Sequence, residues 1–278
     1  MDFKKVFSCH LPIWRMTLHF HSGNSQKLIY MRQIIILFLL ISTISLTSRA
    51  QKMEGEITYE RIYHWTKIYS RASYLSTEEK DRMKMTWGND DEQKQEMKLF
   101  FNEQKSYYTY YKKQENEGGY SWNEKEYKIY RDLENEKRTD IIEMLGKIYI
   151  VEDSTRAPKW KIMNKIKEIN GYMCMMAITE DTIKNQQITA WFADNLPVSI
   201  GPELYGGLPG VILELDINDG DFVITAKKIE LKVITEDMNL PKKLKGKKIT
   251  ESQYNTLVST HIKDSMKAHR NPFWSMPY

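Results

Sequence analysis

The chain has 278 residues, with 41 Lys and Arg against 37 Asp and Glu and a formal net charge of +4. A balance this close to neutral argues against a dedicated nucleic-acid binder, which would show a concentrated basic stripe. The length is enough for one substantial domain with its own core.

In chain order, the first strong signal lies at residues 31–50. Met31-Arg32-Gln33 is a short basic start, Ile34 through Leu46 is an uncharged apolar run, and Ser48 and Ala50 take the small-residue positions a signal peptidase reads. This is the three-part layout of a secretory signal peptide. The run is shorter than the roughly 20 residues that span a bilayer. We place cleavage between Ala50 and Gln51, leaving no transmembrane span in the mature chain. No Cys follows the run, which argues against a lipid-modified N-terminus. Residues 1–30 then read as a disordered upstream leader from a misplaced translation start, or as an extended n-region. Residues 51–278 read as a single β-rich domain. Its one cysteine, Cys174, excludes an internal disulfide framework, so stability rests on packing.

Ile57, Tyr59, Tyr63 and Trp65 alternate in Gly55–Trp65, broken only by Arg61, and predict the first strand. Residues 70–96 are charged and weakly periodic, with Ser76-Thr77-Glu78-Glu79 as a helix start. Strands follow at Met97–Phe101, Ser106–Tyr111 and Glu126–Arg131, with a loop over Glu115–Gly119. Asp140–Met144 and Lys147–Glu152 flank Gly146 like a hairpin. Trp160–Ile166 and Tyr172–Thr179 flank Asn170-Gly171, a strong hairpin turn signal. Gln187–Ala193 returns after a turn at Asp181–Asn185, and Val211–Ile217 and Phe222–Leu231 pair around Asn218-Asp219-Gly220-Asp221. The basic run Pro241–Lys248 reads as a solvated loop, or as a contact for an acidic surface. Thr250–His269 predicts a helix with Tyr254, Leu257, Val258, Ile262 and Met266 on one face. Asn271-Pro272 stops it, and Phe273, Trp274 and Tyr278 tuck back onto the body. The pattern predicts a mainly β protein: a curled antiparallel sheet or half-open β-barrel with a C-terminal helix.

Candidate chemistry concentrates between the strands ending at Ala193 and starting at Val211. Gly206-Gly207-Leu208-Pro209-Gly210 reads as a rigid crossover with Leu208 plugging the sheet, or as a ligand cradle of backbone N–H groups. No Lys-Ser/Thr follows the last glycine, so it is not a phosphate loop. Asp194 and Glu203 flank the block and form a candidate acid–base pair for hydrolysis or for a hard cation. Otherwise Asp194 caps a turn and Glu203 sits in solvent. Met173-Cys174-Met175-Met176 offers soft sulfur ligands, but strand alternation splits them over two faces, so core packing is expected. His64, His261 and His269 form no chelating spacing. Neither a Gly-x-Ser-x-Gly elbow, a His-Glu-x-x-His pair nor a dinucleotide fingerprint occurs. No cofactor or metal site is expected.

The stretch Gly171-Tyr172-x-Cys174, Ala190-Trp191-Phe192, Gly201-Pro202 and Gly207-Leu208-Pro209-Gly210-Val211-Ile212 resembles the signature of the GLPGLI family of exported Bacteroidota proteins, with Val211 where the family has Leu. The resemblance is carried by Trp160 through Leu231. It implies export and a β-rich domain, and it transfers no catalytic residue. Three functions follow as expectations: a non-catalytic envelope protein binding a partner protein or an apolar ligand, a carboxylate-dependent hydrolase of envelope carbohydrate or peptide, and an assembly factor that pairs through a sheet edge.

Overall fold

The computed structural model describes residues 30–36, 53–88, 91–111 and 125–278. The chain divides into two units, Met1–Gln51 and Lys52–Tyr278. In the first, residues 30–36 form helix α1. The leader before Tyr30, the apolar run beyond Ile36 and the proposed cleavage site lie outside the described residues, as does the Glu115–Gly119 loop. No described helix is long and apolar enough to cross a membrane.

The second unit runs β1 (Gly55–His64), α2 (Trp65–Ser70), α3 (Thr77–Trp87), β2 (Glu92–Phe101), β3 (Lys105–Tyr110), β4 (Tyr127–Asp132), β5 (Lys137–Met144) and β6 (Lys147–Ser154). It continues with β7 (Lys161–Ile169), β8 (Tyr172–Asp181), β9 (Gln186–Ala193), β10 (Val211–Ile217), β11 (Phe222–Leu231), β12 (Lys247–Ile249), α4 (Glu251–Lys267) and a 3₁₀ turn at Pro272–Trp274. The described strands form one 12-stranded sheet in the order β12-β6-β5-β4-β3-β2-β1-β11-β10-β9-β8-β7. Two meanders, β2–β6 and β7–β11, are joined by β1, which pairs antiparallel with both β2 and β11. Among the described strands the one parallel pairing is β12 on β6. The class is therefore mainly β and antiparallel with a C-terminal helix, as the sequence pattern predicts. The sheet is open, with β7 and β12 at its edges rather than joined in a ring.

Alternation on β1 sets the inner face. Ile57, Tyr59, Arg61 and Tyr63 all point inward and are buried. Register extends one inner row from Ile57 through Leu99, Tyr108, Ile129 and Asp140 to Val151. Asp140 is the polar member of this row. It is fully buried and neutralised by Arg131 and by Arg138 at 3.2 Å. Arg138 in turn reaches Glu251 at 3.0 Å, tying the first turn of α4 to β5.

Turn chemistry explains the hairpins. Asn170 and Gly171 both take positive φ, 50° and 81°, as a tight right-twisted hairpin requires. Helix α4 starts with a capping box between Thr250 and Gln253 and buries Tyr254 and Val258. Met266, expected on the same face, is exposed, and the last buried position of the helix is Ser265. Tyr278 is buried and donates to Asp221 Oδ2 at 2.8 Å, and Phe273 packs on it, whereas Trp274 remains 66% exposed. The lysines of the basic run are exposed, Leu244 packs beside Tyr107, Tyr130 and Ile141, and the run enters β12 at Lys247. At the opposite edge, β7 presents Lys161, Lys165 and Lys167 and carries a register shift between Met163 and Ile166, both features that discourage edge pairing.

Gly210, at the entry to β10, lies against the backbone of Ala193, and a Cβ there would overlap the Ala193 carbonyl oxygen. Gly210→Ala is expected to destabilise the domain by about 2 kcal/mol or more. A fall in the urea midpoint at unchanged slope checks this.

Candidate functional site

Strands β9 and β10 are antiparallel neighbours, with Val211 opposite Ala193. About 2–5 residues suffice to join such strands. The chain instead spends Asp194–Gly210 on the connection. Loops this long inside a compact domain are uncommon and usually functional. This one is ordered by its own backbone bonds: Gly207 donates to Ser199 at 3.2 Å, Ile212 to Ile200 at 2.9 Å and Val211 to Leu196 at 3.0 Å. Leu196, Val198, Ile200 and Leu208 enter the main core. Leu208 is 2% exposed, the plug expected of it. Gly207 and Pro209 face outward, and Gly206 accepts from Trp160 Nε1 at 2.9 Å. Gly207 holds φ +83° where a Cβ would collide with Ala157. The five residues of the block therefore serve first as a scaffold, with Gly206 and Gly207 also lining a cavity.

The loop is anchored from within. Glu203 is 7% exposed, with its side chain against Arg61 Nε at 3.2 Å. Tyr108 donates to Glu203 Oε1 at 2.9 Å and Tyr127 donates to Oε2. Glu203 itself sits at φ 57°, in the left-handed region that costs a non-glycine residue energy. Arg61 also donates to Tyr63 Oη at 2.9 Å, and its guanidinium lies 5.3 Å from the Tyr127 ring centroid and 5.4 Å from that of Phe222. Burial opposes its charge, but Glu203 and the surrounding tyrosines outweigh burial and hold its pKa well above the ordinary value. Burial, then the Glu203 charge, raises both Tyr108 and Tyr127 well above the usual phenol range.

The sequence offers Glu203 and Asp194 as a pair, and the structure sets them in different surroundings. Asp194 is exposed at the end of β9, while Glu203 is buried under the loop and committed to Arg61 and two tyrosines. The expectation of a solvated Glu203 fails for the same reason. The signal that could have found its true partner was Arg61, the one charge interrupting the apolar alternation of β1.

Beside this anchor the loop leaves a cavity of about 210 Å³ against β2–β4 and the segment after β6. Its apolar wall includes Leu99, Tyr108, Ile129, Leu133, Ile200 and Tyr205. Its polar lining includes Ser106, Arg131, Glu136, Thr155, Arg156 and Glu203. The inner face is thus largely filled by the loop and partly open at this cavity.

The remaining candidates are structural. Cys174 is fully buried, and burial pushes its thiol up to about 11, which keeps it protonated and inert. Met173 is exposed on the opposite face from Cys174. His261 Nε2 lies 3.0 Å from the Pro272 carbonyl and 3.2 Å from Ser275 Oγ, pinning the C-terminal turn. Among the described residues, no group of three or more His, Cys, Asp or Glu could hold a metal ion.

A family model described as "Protein of unknown function (Porph_ging)" matches residues 179–214. That stretch runs from the end of β8 through β9, the anchored loop and into β10. No curated protein matches the chain. Two solved structures of PNGF-II, in two crystal forms, are each 16% identical at TM-score 0.49 and cover 74% of this chain. The aligned region spans about a third of PNGF-II, 33% and 32% of the two chains. An uncharacterized conserved protein from Thermus thermophilus is 5% identical at TM-score 0.34, covering 76% of this chain and 99% of that one. Likeness at this level assigns no activity.

Two outcomes are expected of the anchor. Glu203→Leu should destabilise the domain by about 3–5 kcal/mol, because it strands the Arg61 charge, while Arg61→Met combined with Glu203→Leu should be markedly less damaging. Urea denaturation of the two single variants and the double variant measures the difference, and simple additivity contradicts it. The second outcome concerns pH. Tyr63 is raised by burial to about 12, and Tyr108 and Tyr127 are raised in the same direction, by burial first and then by the Glu203 charge. Unfolded tyrosine titrates near about 10, so above that pH the unfolded chain loses protons that the native state keeps. Stability is therefore fully present below about pH 10 and is lost as pH climbs through about 12. The part of the tyrosinate absorbance that Tyr63→Phe, Tyr108→Phe and Tyr127→Phe remove should rise together with unfolding rather than before it.

Proposed function

We propose that the protein is an exported, non-catalytic binding domain of a bacterial cell envelope. In this reading its ligand site is the cavity between residues 199–207 and strands β2–β4. The observation that carries the reading is the long connection Asp194–Gly210. Its length exceeds what joining β9 to β10 needs, and it forms one wall of a cavity of about 210 Å³. A mostly apolar enclosure with a few convergent polar groups is the usual form of a small-molecule site. A cavity of about 150 Å³ already takes up benzene, so this one suits a ligand of about ten non-hydrogen atoms. The three-part signal at residues 31–50 and the GLPGLI-like signature support export to the periplasm or envelope.

A hydrolase is the second reading, favoured by one observation: two carboxylates, Glu136 and Glu203, line the same cavity. It would use Glu136 in place of Asp194 as the partner carboxylate. Against it stands the commitment of Glu203 to Arg61, Tyr108 and Tyr127.

Ser199 is exposed and lines the cavity, so Ser199→Trp should obstruct the cavity without disturbing the core. Saturation-transfer NMR with toluene, indole and benzyl alcohol should show mutually competitive binding that Ser199→Trp abolishes. Absence of binding, or binding indifferent to Ser199→Trp, overturns the cavity assignment. Release of nitrophenol from nitrophenyl glycosides, lost in Glu136→Gln, would favour the hydrolase.

A further inference from the structure

The basic run at residues 241–248 has no part in the cavity, and none of its residues lines it. After β11 the chain crosses the outer face of the sheet as a strap. Met238 and Leu244 pack inward there, on a cluster of Tyr107, Tyr130 and Ile141. Two tethers hold the strap in place. Lys105 Nζ donates to Asn239 Oδ1 at 2.6 Å, and a Cβ at Gly246 would stand 2.9 Å from the Ile148 carbonyl oxygen. With its two anchors turned inward, the strap presents its other residues to solvent. Leu240, Lys242, Lys243, Lys245, Lys247 and Lys248 are all exposed. Residues 241–248 hold five lysines and no acid, against a surplus of +4 for the whole chain. Among the described residues only Lys248 of the five is in an ion pair, with Glu152 at 2.9 Å. The strap's own acids, Glu236 and Asp237, precede Met238, and Asp237 accepts from the Asn239 backbone at 2.9 Å. A local positive surplus therefore stands on a fixed backbone, and an anionic partner complements it.

Side-chain type decides which anion. The run contains no arginine. Lysine is a hydrated point charge without the planar fork that grips a single carboxylate or phosphate at two points. Several lysines on one exposed stretch suit a surface of many charges better than one bound anion. Leu240 separates the candidates among such surfaces. It is 40% exposed beside the lysines. A soluble polyanion offers it nothing, whereas a bilayer offers an apolar layer beneath the headgroups. We infer that the strap docks the protein on a bilayer of anionic, phosphate-bearing lipids, with Lys242, Lys243, Lys245 and Lys247 among the headgroups and Leu240 below them. This inference stands or falls separately from the cavity reading.

Sedimentation of the full chain with vesicles tests this, using phosphatidylcholine alone and phosphatidylcholine mixed with phosphatidylglycerol. Every variant carries the same apolar leader, so any affinity of the leader is common to all. The chain should bind the mixed vesicles about tenfold or more tightly than the neutral ones, and added salt should shrink the preference. Lys242→Gln combined with Lys243→Gln should weaken binding to the mixed vesicles by about fivefold per lysine. Lys161→Gln combined with Lys165→Gln removes the same charge from exposed positions on β7 and should leave that binding within about twofold. Leu240→Ser should weaken it several-fold. Equal binding to both kinds of vesicle, equal loss in the two lysine pairs, or binding indifferent to Lys242 and Lys243 overturns the inference. An affinity untouched by Leu240→Ser, or binding of polyglutamate or duplex DNA as tight as that of the mixed vesicles, overturns the bilayer as partner.

Discussion

A buried arginine on the central strand holds a carboxylate on a loop, and the rest of the site depends on that contact. Arg61 sits where β1 would otherwise place an apolar residue, and Glu203 sits at a backbone conformation that a non-glycine residue resists. Neither is stable there alone. An isolated buried charge is expensive, and a left-handed glutamate costs of order 1–3 kcal/mol. Together, with Tyr63 accepting from Arg61 and Tyr108 and Tyr127 donating to Glu203, they fix one position of the loop on the sheet. Buried pairs of this sort contribute little net stability compared with apolar replacements. Their value here is placement: the pair sets where Ile200, Leu204 and Tyr205 stand opposite β2–β4, and so sets the shape of the cavity.

Much of the fold was legible in the residues. The alternation of Ile57, Tyr59 and Tyr63 marked β1, Asn170-Gly171 marked the β7–β8 turn, and the glycine–proline block marked an ordered crossover with Leu208 inside. These are local signals, and local physics decided them. Other elements left none. The first half of β2, Glu92-Gln93-Lys94-Gln95, is polar because its side chains stay largely exposed, so it carries no apolar alternation. Helix α2 is six residues long, too short for helical periodicity to show. Strand β12 has three residues and forms only because β6 offers it a free edge.

The site was less legible than the fold, for a definite reason. Glu203 and Arg61 lie far apart in the chain, and no spacing rule links them. Nearness in sequence points to Asp194 instead, and the end of β9 turns Asp194 to solvent. The one readable trace was Arg61 as an exception to its strand's pattern, since a charge on an inward position implies a buried counter-charge. Arg131, Glu136 and Thr155 reach the cavity only through the register of β3–β5 and the turn after β6, which tertiary pairing alone determines.

Amide hydrogen exchange across residues 196–212 tests most directly whether the Arg61–Glu203 contact holds the loop in place. The account predicts that Gly207, Val211 and Ile212 exchange as slowly as the β1 amides in the native protein. It also predicts that Glu203→Gln speeds Gly207 and its loop neighbours while leaving the β4–β5 pairing protected. Fast loop exchange in the native protein, or a loop whose protection is unchanged by Glu203→Gln, would contradict it.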